Sequence, residues 1–76
     1  MKIVKITWKD SNVLHGWQAD GETSLDLAIC ESLGHLKSED DEKIILTQTV
    51  CNYESFLGAL VIPKGCIISV KELRIK

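Results

Sequence analysis

His15, His35, Cys30, Cys51 and Cys66, with the acidic run Glu39-Asp40-Asp41-Glu42, form the metal-ligating repertoire of this chain. Structural zinc is held by short-range cysteine or histidine pairs, and neither a Cys-x-x-Cys nor a helically spaced histidine pair occurs. Calcium takes alternate acids around a glycine, whereas this acidic run is contiguous. It reads as a solvated hairpin turn. Cys66 with His35 and an acid is the one set suited to nucleophilic catalysis. Free cysteine, however, usually packs as a small hydrophobe, and Cys66 follows a turn and leads directly into Ile67-Ile68. Asp10, Asp20 and Asp26 lie where turns and caps account for them, and the five glycines are too scattered for a phosphate loop. No enzyme is expected, and no cofactor or metal.

Binding chemistry has better material. Trp17 lies in a loop beside His15 and Gly16, where an aromatic plane stacks on a base, anchors a partner or lids a small core. Lys64, on the turn after Ile62, supplies a cation. Trp17, His15 and Lys64 are therefore the expected ligand-binding residues. Trp8 continues the apolar face of the first strand and belongs to the core.

Those residues must be positioned by strands. Isoleucine and valine dominate the apolar fraction, and their stiff, branched side chains favour a pleated surface. Lys2 to Trp8 alternates, with Val4, Ile6 and Trp8 on one face and Lys5, Thr7 and Lys9 on the other. Asp10-Ser11-Asn12 and Ala19-Asp20-Gly21 supply turns. Thr23 or Ser24 can cap a helix of about two turns. Leu25, Ala28, Ile29 and Ser32 fit a helical face, while Cys30, Ser32, Gly34 and Leu36 fit a strand. That helix is expected to give way to a strand near Ile29. Gly34 marks a sharp bend in this strand, and Glu39 to Glu42 turns the chain into a strand from Lys43 to Val50. After a loop from Cys51 to Phe56 come a strand from Gly58 to Ile62, a tight turn at Pro63-Lys64-Gly65, and a last strand from Cys66 to Arg74. Five closely spaced strands with one short helix predict a mainly β domain, a small antiparallel barrel spanning residues 1–76.

At 76 residues the core is thin, because only about 60% of the unfolded surface of so short a chain is buried on folding. The net charge of −2 disfavours affinity that rests on phosphate contacts. Lys2, Lys5, Lys9, Lys71, Lys76 and Arg74 gather at the chain ends, where lysine protects an edge strand. Three cysteines without a short-range pair fit a reducing compartment. The opening alternates instead of forming an apolar signal segment, and no apolar run approaches the ~20 residues that cross a bilayer. A cytoplasmic protein without membrane contact is expected.

Gly34, Leu36, Asp40 and Leu46 resemble the first signature of the Sm-like (LSm) proteins: a bend glycine, a core residue two places on, and an aspartate in the hairpin. Ile62, Ile67 and Val70 are similar to the first, sixth and ninth positions of the second signature. In the bacterial RNA chaperone of that family the intervening residues are tyrosine, lysine and histidine; here they are Pro63, Lys64 and Gly65, with the lysine retained. The resemblance spans Gly34 to Val70 and implies an SH3-type barrel. The whole chain also looks like small proteins encoded by bacteriophages and other mobile elements, through Ile6-Thr7-Trp8-Lys9-Asp10, Gly16-Trp17 and Ile62 to Ile67.

The expected function is that of a non-enzymatic binding protein that self-assembles and holds a ligand at subunit junctions. The phage resemblance implies sequestration of a nucleotide-like signal or obstruction of a host defence protein. The Sm resemblance implies the alternative, a ring that binds single-stranded RNA.

Overall fold

The computed structural model describes residues 1–11, 16, 17, 20, 21 and 26–74. Five antiparallel strands form one open sheet: β1 (Ile3–Asp10), β2 (Ala28–Glu39), β3 (Lys43–Val50), β4 (Phe56–Pro63) and β5 (Ile67–Leu73). Their order is β4-β3-β2-β1-β5, so four consecutive strands meander and the fifth returns to pair with the first. A single 3-10 turn, Lys64–Cys66, makes that return. The expected mainly β architecture is present, but the sheet is open, with β4 and β5 as its two edges.

The expected helix is absent among the described residues. Asp26 and Leu27 are not helical, and Ala28 to Leu33 is already strand; Thr23, Ser24 and Leu25 lie outside the described residues. The helical spacing of Ala28, Ile29 and Ser32 is real, but it is overridden by pairing with β1. Eight registered positions, from Ile3 opposite His35 to Asp10 opposite Ala28, lock β2 into the extended form.

Directly opposed residues share a face, so the register assembles the core. Val4 faces Gly34, Ile6 faces Ser32 and Val70, Leu36 faces Leu46, and Ile44 faces Ile62. Val4, Ile6, Ile44, Leu46 and Ile62 are buried, with Trp8, Leu36 and Ile67 packed against them. Trp8 joins the core as expected, and its indole N–H donates to the Ser32 hydroxyl at 3.0 Å. This satisfies the one polar atom that would otherwise make a half-buried tryptophan costly.

Gly34 is where β2 changes partners. Strand β2 pairs with β1 from Ala28 to His35, but with β3 only from His35 to Glu39. It thus passes from one ladder to the other at Gly34-His35. A Cβ on Gly34 would lie 2.9 Å from the Thr47 carbonyl oxygen, a backbone atom that cannot step aside. A bulge at Lys37 then adds twist to the second ladder. On the far side of β3, the buried Thr47 hydroxyl donates to the Gly58 carbonyl at 2.7 Å. Gly58 has φ +76, open to glycine without strain.

Replacing Gly34 with alanine should cost about 1–3 kcal/mol, the range for forcing extra atoms into a packed site. Gly65→Ala meets nothing within 4 Å and should leave stability nearly unchanged. Urea midpoints of the two variants check the pair.

Candidate functional site

Two turns distant in sequence meet at one corner of the sheet. Asp40 organises the first: its Oδ1 accepts the backbone N–H groups of Glu42 at 2.8 Å and Lys43 at 3.0 Å. Its Oδ2 accepts the Lys43 ammonium at 2.8 Å. The Lys43 ammonium first, then the two N–H groups, lower the Asp40 carboxyl from an ordinary 3.8 to about 2. The 3-10 turn supplies the second half of the corner. Its Lys64 backbone N–H donates to the Glu42 carbonyl at 2.8 Å, and the Lys64 ammonium pairs with Glu39 at 2.8 Å.

The corner therefore carries four carboxylates, Glu39, Asp40, Asp41 and Glu42, against Lys43 and Lys64. Both lysines are already engaged. Such a surface disfavours a phosphate backbone, since Lys64 must leave Glu39 to contact it.

Of the sequence-predicted binding residues, Trp17 and Lys64 fall among the described residues. Trp17 is fully exposed and covers no part of the core. Lys64 occupies the corner, and His15 lies outside the described residues. Of the groups weighed for chemistry, Cys66 sits in the 3-10 turn, half-buried. His35 lies on β2 opposite Ile3 and Thr47, with its Nδ1 buried and without a hydrogen-bond partner. No group of three or more metal-ligating side chains is clustered among the described residues.

Sequence reasoning missed two features. Cys51, assigned to a loop, begins the β3–β4 hairpin turn, exposed, with its sulfur accepting the Tyr53 N–H at 3.4 Å. The N–H groups of Tyr53 and then Ser55 pull its thiol below the ordinary range. Lys37, given no role from the sequence, is the extra residue of the bulge and lies over the Phe56 ring, 4.5 Å from the centroid.

The edge of the sheet is an open, apolar surface. Strand β4, Phe-Leu-Gly-Ala-Leu-Val-Ile-Pro, contains no charged residue. Phe56, Leu57, Leu60 and Val61 are all exposed, as are Ile68 and Val70 on β5. Because β4 pairs only with β3, its outer row of N–H and C=O groups is open along the strand. The alternation that would have flagged an edge was missing: both faces are apolar, which by itself reads as a buried strand.

No protein-family model, curated protein or solved structure matches this chain. Among the described residues no helix is long and apolar enough to cross a membrane.

The Asp40 clamp has a pH signature. Its folded-state pKa lies below the unfolded value, so its contribution is full above about pH 4 and lost as pH falls toward about 2. Asp40→Asn should lower the melting temperature at pH 7 and flatten its decline between those values. Thermal melts across that range measure both.

Proposed function

We propose that this protein is a non-enzymatic binding protein that self-assembles through its sheet edges and holds a small ligand. The observation that carries the assembly half is the uncharged, doubly apolar edge strand β4. Natural sheets blunt a free edge with lysine, proline or a covering element. Strand β4 has only Pro63 at its final position, while thirteen large hydrophobic residues are exposed among the described residues against five buried ones. The Cα radius of gyration, 15.9 Å, exceeds the ~11 Å typical of a compact chain of this length. A second copy is the simplest cover for an edge of this composition.

The meander of four strands, the 3-10 return and the pairing of β5 with β1 support reading the sheet as an unclosed member of the SH3/Sm architecture. A cytoplasmic location fits the three free cysteines. The phage-like pattern supports the narrower reading, in which the ligand is a nucleotide-like signal or the partner a host defence protein; Ile6-Thr7-Trp8 and Ile62 to Ile67 carry it.

A single-stranded RNA-binding ring is the second reading, favoured by the meeting of the two signature turns at Glu42 and Lys64. The Lys64–Glu39 ion pair and the surrounding carboxylates place it behind the first. Fluorescence anisotropy with labelled single-stranded RNA at ~50 mM salt should show no salt-dependent binding. Binding that weakens with salt and in Lys64→Ala would reverse the order.

Sedimentation velocity should show a stable oligomer. Val61→Lys adds a charge to an exposed edge position and should shift the population to monomer while leaving the circular dichroism spectrum unchanged. A wild-type protein that sediments only as monomer at ~50 μM ends the assembly reading.

A further inference from the structure

We propose that the hollow between the Lys37 bulge and the tip of the β3–β4 hairpin is a binding site for a small aromatic monoanion. This rests on the ligand-holding half of the function proposed above and is independent of its assembly half, because the hollow is complete within one chain.

The hollow encloses about 310 Å³, near the lower bound for small-molecule pockets. Met1, Val50 and Phe56 give it apolar walls. Such a surface suits a flat hydrocarbon body. Its cation is built in: Lys37 is the extra residue of the β2 bulge, and bulges re-aim side chains next to sites. The ammonium is held over the Phe56 face at 4.5 Å. The four described ion pairs engage Lys2, Lys5, Lys43 and Lys64, leaving Lys37 with an aromatic face instead of a carboxylate. A ring face satisfies one side of the ammonium and leaves its N–H donors open to an anion.

The remaining polar groups set the charge of the guest. Glu54 also lines the hollow, in the left-handed backbone region at φ 60. Lys37 draws a negative charge to its end of the hollow, and the Glu54 carboxylate repels a second. A polyphosphate is thereby disfavoured, and a carboxylate on an aromatic ring is accommodated.

The test is protein-observed NMR of the full chain, titrated with 1-naphthoate and with the neutral 1-naphthalenemethanol. Saturable shifts should centre on Lys37, Val50, Ser55 and Phe56. Lys37→Met should weaken naphthoate binding by about fivefold, the upper value for one partly exposed ion pair, and Lys37→Arg should restore it. The alcohol should bind wild type no better than naphthoate binds Lys37→Met. Absence of saturable shifts at these residues overturns the proposal. So does equal affinity of wild type and Lys37→Met, or of acid and alcohol, since apolar adhesion alone would then suffice. Sedimentation of the same samples separates the two claims: a monomer that binds naphthoate removes assembly and keeps the site, while an oligomer that does not bind removes the site.

Discussion

The approach of Gly34 to the Thr47 carbonyl is the contact on which the rest of this sheet depends. It lets one strand serve two ladders in succession, pairing with β1 along its first two-thirds and with β3 along the remainder. The 2.9 Å gap to a backbone oxygen leaves no room for any side chain. Without that close passage, β3 and β4 would continue in the plane of β1, and Ile44, Leu46 and Ile62 would lose Val4 and Ile6 as neighbours. The fold of the sheet, and not the length of its strands, creates the core.

That mode of construction concentrates burial at one place and leaves the extremities bare. Strand β2 is twelve residues long, roughly 40 Å at ordinary strand rise, yet its neighbours share it lengthwise instead of overlapping. Molecular extents of 52 × 28 × 21 Å follow from this stagger. Five buried side chains give little margin against chain entropy in a domain this small. Edge residues such as Leu57 and Val61 are then stability held in reserve, realised only when another surface covers them. Thr47 has the opposite role: its hydroxyl is spent inside the chain, tying β3 to Gly58 and giving the exposed hairpin a fixed geometry.

Much of this was legible in the residues because the signals were local. Alternation at Val4, Ile6 and Trp8 fixed β1, and Lys43 to Val50 matched β3 residue for residue. Gly34 stood out as a glycine inside a strand, and its Cβ position is closed by the Thr47 carbonyl. What failed depended on distant partners. Ala28, Ile29 and Ser32 have helical spacing, and only the presence of β1 across eight positions decides for strand. Lys64 looked free because its counter-charge, Glu39, lies on another turn. Lys37 looked ordinary because a bulge is a relation between two strands, which composition does not encode. Trp17 looked useful for the core or a partner, and the geometry removes it from the core.

The distribution of charge separates the two ends of the molecule in kind. At the corner, Asp40 binds two N–H groups and an ammonium, so its negative charge is consumed in holding the turn closed. Glu39 likewise consumes Lys64. Each cation there faces a carboxylate within ion-pair distance, and an incoming anion must displace one before it gains anything. At the hairpin, Lys37 faces a ring instead. No carboxylate pair would have to break there for an anion to reach the ammonium. The two ends thus differ in what their lysines already hold: carboxylates for Lys43 and Lys64, a ring for Lys37.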